Sequence, residues 1–371
     1  CVSPHSASVR TLRCDDQWLP FFPETEGSKA EGLRSRSSGL ACRVMSQLRT
    51  IGPYRLTTSR RASASGHEYV ALDTDIGVRV FVTIVEVLNA VQRPDGSVDP
   101  EVNDAYQRVM ARLAELNHPL LGMPKRISPP GSDTYWYTSL ASDGTPLRRH
   151  LDHRGPLHWR SVALILVEAF KALSVAHERG LHHGNIDSNS LVIEPNGALR
   201  FLIPDVAGRV LFASNQCDAL SLSALWDEPL FLSPEALTRQ AMGPADDVYA
   251  LGILSYELLT GRLPYASTSE ALGRFQSRRS APDPRACVPD IPEAFGRIVR
   301  TMAAPRSAIR IPNVMSLCDQ LRAEVLPELR VDEVRAEIVR ALRERVQGPK
   351  SASPPQAPLQ VQSQDERAAL E

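Results

Sequence analysis

The polar groups best placed to do chemistry crowd into one stretch, Ala176-His177-Glu178-Arg179-Gly180-Leu181-His182-His183-Gly184-Asn185-Ile186-Asp187-Ser188-Asn189-Ser190. Asp187 brings a negative charge to it. Asn185 cannot take a proton from a hydroxyl as a carboxylate can. Ser190 offers a hydroxyl, a weak ligand for a hard cation such as Mg²⁺. The three histidines raise a metal site by their proximity. The plainer reading makes His183 a buried hydrogen-bonding residue and leaves His177 and His182 at a helix end and in a loop. Ser, Cys and His show no triad-like arrangement. The six cysteines are scattered, without a C-x-x-C pair, which argues against a zinc site or a disulfide framework and fits a reducing compartment.

These side chains must be held by what flanks them. Ser161 to Glu178 reads as a long core helix that breaks at Gly180. After the loop come a β-branched strand, Leu191-Val192-Ile193, a Pro195-Asn196-Gly197 turn, and a second strand from Ala198 to Ile203. Upstream, strands are predicted at Tyr54-Arg55-Leu56, at residues 68–73, at 78–85 after a turn at Asp75-Ile76-Gly77, and up to residue 140. They are interrupted by one amphipathic helix from Asp99 to Leu116. Downstream the chain is helical: Ala245 to Thr260 with Gly261 as its C-terminal cap, Pro292 to Ala303, and Asn313 to Leu326. Val331 to Val346 is a further amphipathic helix with Val331, Val334, Ile338, Val339, Leu342 and Val346 on one face.

This order, strands around one helix followed by a larger helical region, resembles the eukaryotic-type Ser/Thr protein kinase family in its bacterial form. Specific text carries the likeness. His183 matches the His of H-R-D-x-K-x-x-N with no gap. Leu232-Ser233-Pro234-Glu235 is similar to A-P-E, Asp246-Asp247-Val248-Tyr249-Ala250-Leu251-Gly252 to the D-x-x-x-x-G helix, and Thr260-Gly261-Arg262-Leu263-Pro264-Tyr265 to T-G-x-x-P-[FY]. The resemblance spans residues 53 to 328 and implies an α+β, two-lobed kinase-like fold. A small β-rich lobe is expected over 51–142 and a helical lobe over 143–328. An amphipathic helix at 329–347 follows, with a disordered N-terminal segment at 1–50 and tail at 348–371. Met45 is read as a plausible start of the folded protein.

The resemblance also implies what is missing. In the family, ATP·Mg²⁺ is positioned and its charge neutralised by a small set of groups. Arg61, Ser63 and Gly66 stand where G-x-G-x-x-G belongs, so two of three glycines are replaced. Val80-Phe81-Val82-Thr83 replaces V-A-I-K; Thr83 stands for the lysine. Phe81 stands for the alanine against the adenine ring. It is expected to fill that pocket from above, or, with the strand one residue out of register, to pack in the core. Val109 takes the place of the helix glutamate that pairs with the lysine. Gly184, Asn185, Asp187 and Ser190 replace the Arg, catalytic Asp, Lys and metal-binding Asn of the loop. D-F-G becomes Ile203-Pro204-Asp205 without a gap, the preferred alignment, or Asp205-Val206-Ala207 with a two-residue slip. Thr138 falls at the gatekeeper position, and Val192 and Leu113 at apolar spine positions. Structural roles carry over too: a Glu235–Arg310 ion pair, and an Asp247 side chain capping backbone N–H groups near His183.

The expectation is a pseudokinase, a regulatory or scaffolding module that binds a protein partner, such as an active kinase. The 331–346 helix either meets that partner or packs on its own lobe. The alternative is a degenerate ATP- and Mg²⁺-using transferase with Asp205 or Asp187 as metal ligands. No cofactor is expected under the first reading. A net charge of −1 without a basic block argues against nucleic acid, and no run of about 18 apolar residues predicts a membrane span. With 43% hydrophobic and 23% charged residues and no apolar leader core, a cytoplasmic globular protein is the expected setting.

Overall fold

The computed structural model describes residues 50–63, 66–85, 99–116, 118–130, 132, 134–204, 206–207, 210, 228–238, 242–276, 280–310, 313–326 and 336. The expectations for Met45, for Asp205, for the terminal segments and for the 329–347 helix lie outside these residues, apart from Thr50 and a helical Ala336.

The first part of the chain is a six-stranded antiparallel sheet. Its strands are β1 (Thr50–Ile51), β2 (Tyr54–Ser63), β3 (Gly66–Asp73), β4 (Arg79–Ile84), β5 (Arg126–Ile127) and β6 (Trp136–Leu140), in the order β1-β2-β3-β4-β6-β5. A helix, α1 (Pro100–Ala114), lies between β4 and β5 in the chain. Asp99 caps it by accepting from the Glu101 N–H, and Pro100 opens it, where a missing N–H costs nothing. Its buried row, Val102, Tyr106, Met110 and Leu113, follows the helical period. Tyr106 meets Tyr135 edge to face at 5.8 Å, and the Tyr135 hydroxyl donates to Asn103 Oδ1 at 3.0 Å.

A short link, residues 141–144, leads into the helical part. β7 (Thr145–Pro146), α2 (Leu147–Arg154), α3 (Trp159–His177), β8 (Leu191–Ile193) and β9 (Leu199–Phe201) come first. They are followed by α4 (Pro234–Leu237), α5 (Pro244–Thr260), α6 (Thr268–Gln276), α7 (Glu293–Met302) and α8 (Val314–Glu324). β7, β8 and β9 form a second, three-stranded sheet in that order. Helices α3 and α5 are buried almost all round, which is why their sequences are apolar throughout rather than striped. α5 ends at Gly261, whose φ of 75° is the left-handed conformation that glycine adopts without strain. Gly252 lies where α5 meets α7: a Cβ there would stand 2.6 Å from the Ala303 nitrogen. The two parts form the expected α+β, two-lobed arrangement, with the 183–190 loop at their junction.

Candidate functional site

α3 and α5 hold the loop between them. Asp247, in the first turn of α5 and fully buried, accepts from the His183 N–H at 2.8 Å and the Gly184 N–H at 2.7 Å. His177, at the end of α3, donates from Nε2 to the same carboxylate at 2.8 Å. Burial alone would raise the Asp247 carboxyl. The His177 hydrogen bond and the nearby His177, His183 and His182 rings outweigh it and hold the carboxyl down at about 2. His183 donates from Nε2 to the Leu202 carbonyl at 3.1 Å and accepts from the Asn185 N–H at Nδ1 at 3.3 Å. His177 and His183 are thus tied into the hydrogen bonds of the loop; among the described residues no three His, Cys, Asp or Glu side chains converge as a metal would require.

Asp187 and Ser190 are turned on each other. Asp187 Oδ1 accepts from the Asn189 N–H at 2.9 Å and the Ser190 N–H at 2.6 Å, while Ser190 Oγ accepts from the Asp187 N–H at 2.8 Å and donates to its carbonyl at 2.9 Å. Both are buried, and together they lock the turn. Beneath the loop, burial pushes the Glu257 carboxyl up, partly offset by Arg148, whose Nη1 donates to it at 2.6 Å. Burial, with Asp187 adding to it, raises Glu228 as well.

Between the lobes lies a cavity of about 290 Å³. Sheet register decides which side chains face it. Glu68, Thr83 and Tyr137 lie directly opposite one another on adjacent strands and all line the cavity, as do the facing pair Phe81 and Ser139. Phe81 is thus on the cleft side and not out of register. It narrows the cleft without filling it, since the cavity persists beside the ring. Thr138 pairs with Val82 on the other face, is buried there and accepts from the Arg126 N–H at 3.0 Å. The gatekeeper expectation is therefore corrected: successive strand residues point to opposite faces, and Tyr137, not Thr138, lines the cleft.

Arg61, Ser63, Asn185, Asp187, Ser190 and Ile203 also line the cavity. Gly66, Val109 and Val192 do not. Gly66 closes the β2–β3 pairing opposite Ser63, Val109 is half-buried against the core, and Val192 is buried in β8 against Gly144. Glu235 Oε2 accepts from Arg310 Nη2 at 2.5 Å. The buried Arg310 also donates to the Ala304 and Pro305 carbonyls, a structural joint far from the cleft in sequence.

Three charged cavity residues were not singled out from the sequence: Glu68, Lys125 and Arg200. Glu68 could have been found by extending the cross-strand register from Thr83. Lys125 and Arg200 carry no sequence signal of their own. At the family's own positions the residues present are not those that hold a magnesium nucleotide, while Arg61, Lys125 and Arg200 bring positive charge to the lining. The lysine position holds Thr83, the proton-acceptor position Asn185, and the described wall near Leu202 ends in Ile203. The Oδ1 of Asp187 is taken by two backbone N–H groups.

Comparison with known proteins bears on this arrangement. The protein kinase domain family matches residues 97–311. The chain is 24% identical over 264 residues to the serine/threonine-protein kinase PknA of Mycobacterium tuberculosis, covering 70% of this chain and 58% of PknA. It is 30% identical over 199 residues to PknL of the same species, covering 52% of this chain and 49% of PknL. The chain thus spans about half the length of these relatives. Among solved structures it is similar to the apo form of PpkA-294, with a TM-score of 0.58 at 18% identity over 73% of this chain and 97% of that one. Rad53 1-466 in complex with AMP-PNP gives 0.56 at 15% identity over 72% of this chain and 64% of that one. Both structural likenesses concern the fold. Among the described residues no helix is long and apolar enough to cross a membrane.

Proposed function

The chain belongs to the protein kinase domain family, with bacterial Ser/Thr kinases among its relatives, and from that premise we propose that it is a pseudokinase: a regulatory, protein-binding module that does not transfer phosphate. The observation that carries this reading is the cleft lining. Thr83, Asn185 and Ile203 face the cavity at the positions where the family pattern has a lysine, a catalytic carboxylate and a metal-binding carboxylate. An amide cannot accept the hydroxyl proton, and neither threonine nor isoleucine can neutralise or bridge phosphate charge. Lysine and helix glutamate are replaced together. Either one alone would be a poorly paired, partly buried charge costing roughly several kcal/mol.

The proposed partner is a protein, with an active kinase as the first candidate, in the cytoplasm. A second reading, a weak nucleotide-dependent transferase, is favoured by the cavity itself. Its volume of about 290 Å³ lies at the lower edge of small-molecule sites, roughly 300–1,000 Å³. Incubation of the full chain with radiolabelled ATP, Mg²⁺ or Mn²⁺ and a generic protein substrate tests the choice. The pseudokinase reading expects no label on the chain or the substrate. Incorporation above that of a heat-denatured control favours the transferase.

A further inference from the structure

β2 does not run as a regular strand. Its pairing with β3 slips between Leu56 and Thr58 and again between Ser59 and Arg61, so Thr57 and Arg60 are extra, unpaired residues. In a regular strand, neighbours such as Arg60 and Arg61 point to opposite faces. The bulge at Arg60 cancels that alternation, and both arginines reach the same side of the sheet. Arg60 Nη2 donates to the Ser142 carbonyl at 3.3 Å, in the link between the lobes. Arg61 Nη1 donates to the Asn189 carbonyl at 3.3 Å, in the loop of the lower lobe. Arg60 also pairs with Glu68 and lies over the Phe81 ring, its guanidinium carbon 4.1 Å from the ring centroid.

The acceptors are themselves fixed. Ser142 is buried, and its hydroxyl donates to Glu194 Oε1 at 2.7 Å and accepts from the Gly144 N–H at 3.0 Å. Asn189 belongs to the turn locked by Asp187 and Ser190. The roof of the cleft is thus pinned at two points to backbone that cannot yield easily.

We infer that Arg60 and Arg61 form a latch that holds the two lobes closed, with Phe81 as the platform on which Arg60 is seated. A flat ligand entering the front of the cleft must first displace Arg60 from that ring. This gives Phe81 a role that its bulk alone does not, as one member of a closing device. The inference is independent of whether phosphate is transferred.

Hydrogen–deuterium exchange of the full chain tests it, comparing wild type with Arg60→Ala, Arg61→Ala and the double variant. Amides of residues 54–73 should exchange faster in the double variant, on the order of tenfold, from the loss of two hydrogen bonds and a ring contact. Amides of α5 should be unchanged, which shows that the variant folds. Phe81→Ala should loosen the same strands as Arg60→Ala does, since it removes the platform. Exchange in residues 54–73 that stays within about twofold of wild type in the double variant, with α5 protected, overturns the latch.

Discussion

Asp247 shows how much one buried carboxylate can do without touching a substrate. It joins the end of α3, the start of α5 and two loop amides. Asp247→Ala leaves those donors unpaired in the interior and is expected to destabilise the fold by roughly 3–5 kcal/mol, measurable by denaturant titration. The pH dependence has a definite sign. The carboxyl is held at about 2 in the folded chain against an ordinary 3.8, so its contribution is whole above about pH 4 and is lost as the pH falls toward 2. Asp247→Asn should flatten stability across that window; a slope equal to wild type would show that the carboxylate is not the group responsible. Asp187 presents a contrasting case. Its negative charge is spent on two backbone amides of its own turn, so a residue that reads as a candidate metal ligand serves as a loop lock.

At the scale of elements, packing sets tolerances that the side-chain inventory does not reveal. α5 and α7 approach so closely at Gly252 that a Cβ would meet the Ala303 nitrogen at 2.6 Å and the Met302 carbonyl carbon at 2.9 Å. Gly252→Ala is therefore expected to cost roughly 1–3 kcal/mol through overpacking, despite alanine's better helix propensity. A melting temperature equal to or above wild type would refute that contact. The helices were legible because period and caps are local: Pro244 and Gly261 bracket α5, and Asn313 caps α8. The strands were less so. β2 runs to Ser63, well past Leu56, and the extension is hidden in the sequence because its middle is polar and exposed and shows no alternation. The one-residue error at Thr138 has the same origin: which face a strand residue takes is set by its partners, here Val82 across the ladder.

For the whole molecule, the lower lobe keeps the joints that make the fold, namely Asp247 under the loop and Glu235 with Arg310. The cleft has a different set of contacts. The changes at Thr83 and Asn185 could be read from linear motifs because each stands at a fixed offset from an apolar anchor; the third position stayed open between Ile203 and Asp205, which lies outside the described residues. Arg60 could not be read that way. Its importance depends on a bulge and on a phenylalanine twenty-one residues later in the chain, brought together only by strand pairing. The cleft is thus narrowed by its own side chains, with Thr83 and Asn185 standing where the family pattern has a lysine and a carboxylate.

The most direct measurement is the melting temperature of the full chain with ATP or ADP at millimolar concentration, with and without Mg²⁺ or Mn²⁺. A ligand at about 100 times its dissociation constant stabilises by about 2.7 kcal/mol, an easily read shift. The account predicts no metal-dependent shift. A clear rise that requires the metal would mean that the cleft still assembles a metal–nucleotide complex, and would contradict it.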